Sequence, residues 1–193
     1  MTEPSGRRER KKARTRQALA DAALRLFLER GYDDVGVKEI ADEADVSVTT
    51  LFKHFPSKEA LVFDEDEEVE SALVAAVRER SRGESIPEAL RAHLVRSRRT
   101  HDDPESARFV RLVEETPALR EHWHRMWLRH ETALASAIAQ ETGVPDDDVR
   151  CAALARFALE ARELASRYPD PDRTLGEVFA LLEDGWAGRE PAG

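Results

Sequence analysis

Between Ser47 and His54 the chain gathers three hydroxyls (Ser47, Thr49, Thr50), the branched side chain of Val48 and two nitrogen donors (Lys53, His54), with no acidic residue among them. Hydroxyls at a helix start, beside the free amides found there, suit phosphate oxygens, while threonine and valine suit base edges and thymine methyl groups. Lys53, His54 and the nearby Lys58 can take phosphates, and Lys38 can reach a base or the backbone. Phosphate contacts position a protein on a duplex without carrying sequence information. Val48, Thr49 and Lys38 are therefore the residues expected to discriminate among sequences.

That chemistry requires a helix whose outer face is held away from the protein. The apolar spacing predicts a first helix over about Arg10 to Arg30, with Leu19, Ala22, Ala23, Leu26 and Phe27 on one face and Gly31 as its stop. A short helix follows at about Val37 to Ala44, then a turn at Asp45 and Val46, then a second short helix from Val48 to His54 with Ser47 as N-cap. Two short helices joined by a tight turn and buttressed by a longer one form a helix-turn-helix. Helices this short are marginal alone. Ile40, Ala41, Ala44, Val46 and Leu51 are expected to pin them against Leu26 and Phe27.

Past Pro56, Ser57 is placed to cap a longer helix running through Leu61, Val69, Leu73 and Val77 toward Arg80. Breakers then divide the chain into five further helices, at about Ile86 to His101, Pro104 to Glu115, Ala118 to Glu141, Asp146 to Arg167 and Arg173 to Trp186. The class is all-α, with about nine helices and no strand-like runs. The ends, residues 1–9 and 188–193, are expected to be disordered.

The 193 residues carry a net charge of -9, which by itself disfavours a polyanionic partner. Its distribution reverses that inference. Residues 1–60 carry 12 basic and 11 acidic side chains, so the remainder holds a net -10, and seven of the basic ones lie between Arg7 and Arg16. A DNA-compatible head precedes an acidic body. The basic run is read either as a solubilising tail or as an arm contacting phosphates or the minor groove; without interleaved aromatic or leucine residues it does not suit a membrane surface. A single cysteine, Cys151, and the lack of a secretory signal or a run of about 20 apolar residues point to a cytoplasmic protein with no membrane partner.

Other chemistries find little support. No nucleophile elbow, Cys-His or Ser-His arrangement, phosphate loop or dinucleotide fingerprint is present, so no catalysis and no cofactor are expected. His93, His101, His122, His124 and His130 raise the question of a metal. His122 and His124 point about 200° apart around a helix, and no metal is assigned. The acidic run from Asp64 to Glu68 reads as a solvated face. A helical interaction or ligand-sensing module that acts as an activator, or without operator binding, is the alternative reading; the Ser47 to Lys58 segment speaks against a lost DNA function.

The stretch from Thr15 to Val62 resembles the DNA-binding domain of the TetR/AcrR family of transcriptional regulators. Glycine followed by an aromatic (Gly31, Tyr32), Ile40-Ala41, Val46-Ser47 and Leu-Phe-x-His-Phe-x-x-Lys from Leu51 to Lys58 occur in order at the family's spacing. The resemblance implies a backbone contact for Thr15, phosphate or base contacts for Val37 and Lys38, recognition-helix contacts for Val48, Thr49, Thr50, Phe52, Lys53 and His54, and a phosphate ligand at Lys58. Three positions depart from the usual pattern. Gly36 stands in place of a threonine N-cap, Asp45 in place of a turn glycine, and Lys53 in place of a frequent aromatic.

By the same resemblance, residues 10–56 form the helix-turn-helix domain and residues 57–187 a ligand-binding and dimerisation domain. The segments Pro56 to Glu67 and Leu112 to Arg120 are similar to an actinobacterial-type subgroup associated with acyl-CoA-like ligands. The implied partners are double-stranded operator DNA, a second copy of the chain and a small-molecule effector of unknown identity. Candidate pocket residues are Phe109, Leu112, Val113, Leu119, Trp123, Met126, Trp127 and His130, although Leu119, Trp123, Met126, Trp127 and His130 recur with Leu134 at a helical spacing that suits ordinary core better. Phe157, Ala161, Leu164, Leu175, Val178, Phe179 and Leu182 are the candidate dimer contacts, on two helices that would form a four-helix bundle with their mates. Two recognition helices about 34–36 Å apart would then read a pseudo-palindromic operator.

Overall fold

The computed structural model describes residues 4–99 and 104–187. Among them there is no strand, and nine α-helices follow in order: α1 (Pro4–Arg30), α2 (Val37–Glu43), α3 (Val48–His54), α4 (Asp66–Arg78), α5 (Ile86–Arg99), α6 (Pro104–Glu115), α7 (Pro117–Thr142), α8 (Val149–Ser166) and α9 (Pro171–Ala187). A single turn of 3-10 helix occupies Glu59–Leu61. Expected features at residues 1–3, His101 and 188–193 lie outside the described residues. Residues 4–9, expected to be disordered, instead continue α1 toward its N-terminus. Proline is tolerated in a first helical turn, and the arginine, glutamate and lysine that follow are good helix formers.

The expected helix starting at Ser57 does not form. Ser57 caps only the 3-10 turn, its Oγ accepting from the Ala60 amide at 3.3 Å, and α4 begins at Asp66. Leu61, Val62 and Phe63 are all buried. Three consecutive side chains on a straight helix fan across about 200°, so one helix face cannot bury all of them. Leaving the helix lets each reach the interior.

Packing divides the chain into two compact units, one of residues 1–66 with 103–124 and the other of residues 67–102 with 125–193. The first unit is built on α1, whose Leu19, Ala22, Ala23, Leu26 and Phe27 are all buried along the expected stripe. At Gly31, φ of +89° ends α1 in the left-handed region that glycine enters without a Cβ clash. The Gly31 amide donates to the Phe27 carbonyl at 2.8 Å. Against α1 also lies α6, where Arg108 donates to the Leu28 carbonyl at 3.0 Å.

In the second unit Leu73 and Val77 of α4, Leu90 and Leu94 of α5, Leu134 and Ile138 of α7, Leu154 and Leu159 of α8 and Leu175 and Phe179 of α9 form one core. Buried Ala155, Ala158, Ala161 and Ala165 let α8 approach its neighbours closely. Polar ties close the edges: Arg98 to Asp172 at 2.7 Å joins α5 to α9, and Arg80 to Glu141 at 2.7 Å joins the end of α4 to α7. Asp148 caps α8, accepting from the Arg150 amide at 2.8 Å and from the Arg150 guanidinium, which together hold its carboxyl at about 2.

Candidate nucleic-acid interface

Three features fix α3. Its N-cap is Ser47, whose Oγ accepts from the Thr50 amide at 3.1 Å and lies 2.9 Å from the Thr50 hydroxyl. Its inward anchor is Leu51, wholly buried with Ile40 and Ala41 of α2, while Ala44 and Val46 are half-buried. The turn before it places Asp45 at φ +52°, the left-handed conformation that aspartate enters more readily than most side chains. Gly36 leads into α2 with extended backbone and no side-chain cap. Arg25 pairs with Glu43 at 2.5 Å and Arg30 pairs with Glu39, tying α2 to α1 across the surface.

So held, α3 turns Thr49, Phe52 and Lys53 to solvent. Their i, i+3, i+4 spacing puts a hydroxyl, an aromatic and an ammonium on one face. Phe52 is 48% exposed, a large apolar surface with no covering layer in its own unit. Val48, Thr50 and His54 are half-buried at the margin of that face, Ser47 and Lys38 are exposed, and Val37 and Thr15 are half-buried. The Thr15 hydroxyl donates to the Lys11 carbonyl at 3.1 Å and so keeps only its acceptor capacity for a partner. Along the start of α1, Arg7, Arg8, Arg10, Lys11, Lys12 and Arg14 are all exposed.

Two of the expected phosphate ligands are built differently. Lys58 turns inward: its Nζ donates to the Tyr32 carbonyl at 2.6 Å and sits 4.0 Å from the Tyr32 ring centroid. Burial lowers its pKa, and its first task is to hold the loop after α1. The Tyr32 hydroxyl completes this corner by donating to Glu59 at 2.8 Å. His54 is held below its ordinary pKa by burial first, then by Lys12 and Arg16, so it is a neutral imidazole at pH 7 rather than a cation.

A residue that the sequence reading passed over organises this corner. Arg16 donates to the His54 carbonyl at 3.0 Å and to the Asp64 carbonyl at 2.8 Å, with its guanidinium 4.4 Å from the Phe55 ring centroid. It joins the last turn of α3 to the segment that enters α4. Within the sequence it is one more arginine in a basic run, and its partners lie 38 and 48 residues away.

The expected pocket residues fall into both units. In the first, Phe109 and Trp123 come together on Phe63, with ring centroids 6.0 and 5.7 Å from it, and His122 stacks on the same ring at 5.2 Å. Val113 and Leu119 are buried and Leu112 half-buried. In the second, Met126 and His130 are buried and Trp127 is half-buried; Trp127 meets His130 edge-on at 5.1 Å, and His130 Nε2 lies 3.9 Å from Glu70.

Of the expected dimer contacts, Leu175 and Phe179 are wholly buried inside the second unit. The apolar stripe of α9 faces α8 and α5 of its own chain, so these two residues are core rather than surface. Phe157, Ala161, Leu164, Val178 and Leu182 instead line a groove of about 500 Å³ along α8 and α9. Leu181, unforeseen in the sequence, lines it too and is 73% exposed.

The profile described as bacterial regulatory proteins, tetR family, matches residues 19–64, and that described as the MftR C-terminal domain matches residues 68–187. The HTH-type transcriptional regulator TcmR of Streptomyces glaucescens is 38% identical over 154 residues, which cover 75% of this chain and 68% of TcmR. The putative mycofactocin biosynthesis transcriptional regulator MftR of Mycobacterium tuberculosis is 27% identical over 137 residues, 69% of each chain. A TetR-family regulator from Streptomyces coelicolor A3 shares the fold with a TM-score of 0.63 at 24% identity, over 89% of this chain and 94% of that one. With both family profiles matched in sequence and TcmR alike over most of its length, the chain belongs to the TetR family of bacterial regulatory proteins and is a DNA-binding transcriptional regulator rather than an enzyme.

Proposed function

We propose that the protein is a homodimeric repressor that binds a pseudo-palindromic operator through α3 and releases it when a small apolar or acyl-CoA-like effector binds within residues 57–187. The observation that carries this reading is the outward face of α3, where Thr49, Phe52 and Lys53 stand exposed on a capped and anchored helix. Phe52 and Val48 suit thymine methyl groups, Thr49 suits a base edge, and Lys53 takes a phosphate. Lys38 and the exposed start of α1 add cationic contacts, while Ser47, Thr50, Val37, Thr15 and the neutral His54 flank them as short-range donors, acceptors or packing groups. Lys58 acts by holding the Tyr32 loop, and through it the head, in shape.

A repressor of this kind needs an effector that binds the DNA-incompetent state more tightly, and by linkage the operator must weaken effector binding by the same factor. Binding of the full-length protein to DNA upstream of its own gene, followed by fluorescence anisotropy across a salt series, tests the interface. Lys53→Ala should reduce the magnitude of the log–log salt slope by about two, one phosphate per protomer, and weaken all sequences alike. Thr49→Ala and Phe52→Ala should instead change preference among operators. An unchanged slope for Lys53→Ala, or no sequence preference in the wild-type protein, would overturn the assignment.

A further inference from the structure

Without its first 16 residues the DNA-reading head is acidic. Residues 17–60 carry five basic and nine acidic side chains, whereas residues 1–16 carry seven basic and two acidic ones. Of those five, Arg25 and Arg30 are engaged by Glu43 and Glu39, and Lys58 is turned onto Tyr32. Lys38 and Lys53 are then the cations that α2 and α3 hold ready for a phosphate. A reading helix carried on an acidic surface is repelled by a polyanion until other charges reverse the balance. Those charges stand at the start of α1. Arg7, Arg8, Arg10, Lys11, Lys12 and Arg14 are all exposed there, and among the described residues none of them pairs with a carboxylate. At about 100° per residue they cover about 200° of the helix circumference, with Gly6, Glu9 and Ala13 on the remaining face. Like charges three and four residues apart repel along such a helix, and a polyanion relieves the repulsion. Arg16, one turn beyond Lys12, donates to the His54 carbonyl at 3.0 Å, so the cationic stripe abuts the last turn of α3.

The form of this segment decides what it can touch. An α-helix with its side chains is about 10–12 Å across and the minor groove of B-DNA about 6 Å wide, so a helical arm does not enter that groove as an extended one does. The major groove, about 12 Å wide, admits one helix, and α3 is the helix this head presents to it. The phosphate backbone beside α3 is what remains for α1. Arg7 to Arg14 rise about 12 Å, an axial length over which one DNA strand carries roughly three to four phosphates. We propose that the helical start of α1 is a phosphate-binding arm, centred on Arg7, Lys11 and Arg14, that supplies most of the head's electrostatic attraction to DNA and none of its sequence preference. This rests on the reading of α3 as the operator-reading helix and assigns the sequence-independent part of that binding to α1.

The test is fluorescence anisotropy of the full-length protein across a salt series, on a duplex from upstream of its own gene and on a scrambled duplex of the same length and composition. Arg7→Gln, Lys11→Gln and Arg14→Gln are combined in one variant, because glutamine matches the helix propensity of the residues it replaces and all three positions are exposed. Its circular dichroism and melting temperature should match the wild type. The magnitude of its log–log salt slope should fall by more than about two, which is more than Lys53→Ala removes. Affinity for both duplexes should drop by the same factor, about tenfold or more at about 0.15 M salt, so that the ratio between them is kept. Arg7→Lys with Arg14→Lys should keep the wild-type slope, since the charge is retained. The proposal is overturned if the glutamine variant loses less slope than Lys53→Ala, as a merely solubilising tail would, or if the ratio between the duplexes collapses, as an arm that reads bases would cause. A wild-type protein with no preference between the duplexes, whose slope the glutamine variant still flattens, would sink the operator reading and leave the arm standing. A Thr49→Ala protein that changes preference, beside a glutamine variant that binds like the wild type, would sink the arm alone.

Discussion

Arg16 shows how one side chain can hold a reading helix in place. Its two hydrogen bonds end on main-chain carbonyls, at His54 in the last turn of α3 and at Asp64 just before α4, and its guanidinium covers Phe55. Charge-assisted bonds of this kind contribute about 1.5–3 kcal/mol, and removing the donor leaves carbonyls that must find other partners. Arg16→Gln should therefore lower the stability of the full chain by about 2 kcal/mol in urea denaturation and weaken operator binding without changing base preference. Arg16→Lys should fall between the two, since one ammonium cannot serve both carbonyls in the fork geometry. A variant that bound DNA normally while losing that stability would show Arg16 to be a fold residue alone. Lys58 belongs to the same corner: a lysine drawn onto Tyr32 serves the protein's shape first.

The helix-turn-helix is assembled from two seven-residue helices that neither propensity nor length would sustain alone. What sustains them is burial of Ile40, Ala41 and Leu51 on α1, the Ser47 cap and the turn at Asp45. Asp45 is the described non-glycine residue with positive φ, a conformation that disfavours most L-residues by about 1–2 kcal/mol and aspartate by less. Replacing it with glycine should raise stability by about 0.5–1 kcal/mol, whereas valine at the same position should lower it by a comparable or larger amount. Thermal unfolding of both variants checks the sign, and a destabilising glycine would mean that the aspartate side chain stabilises the turn by more than its backbone strain costs.

The groove along α8 and α9 exposes Phe157, Leu164 and Leu181 on two helices whose opposite faces are buried. Contiguous exposed apolar surface of this kind marks an interaction site, and a second copy of the chain is the occupant proposed for it. Leu164→Glu places a charge in the middle of that surface. Because Leu164 is 41% exposed within the protomer, the substitution should change protomer stability by no more than about 0.5 kcal/mol, yet it should shift the protein toward monomer in analytical ultracentrifugation. Operator affinity should fall by at least about tenfold, since a monomer reads one half-site. A variant that stays dimeric would move the interface elsewhere.

Much of this architecture is legible in the linear chain. The period of apolar residues marks helices α1 to α3 and α5 to α9, the cap at Ser47 and the stop at Gly31 follow from local backbone chemistry, and the order of motifs from Gly31 to Lys58 identifies the family. These signals are local: a helix face, a cap or a turn involves residues within a few positions of one another. Periodicity says which face of α9 is apolar but not whether its own chain or a second copy covers it, and folding buried Leu175 and Phe179 while leaving Leu181 outside. It also continued the expected helix through Leu61, Val62 and Phe63, where three adjacent side chains each found an interior and broke it. Arg16 was equally hidden, because what distinguishes an arginine is its surroundings, here two carbonyls far along the chain. The residue types and their local order were thus present in the sequence, and only the tertiary structure decided which charges are struts, which apolar residues are core and which face remains open.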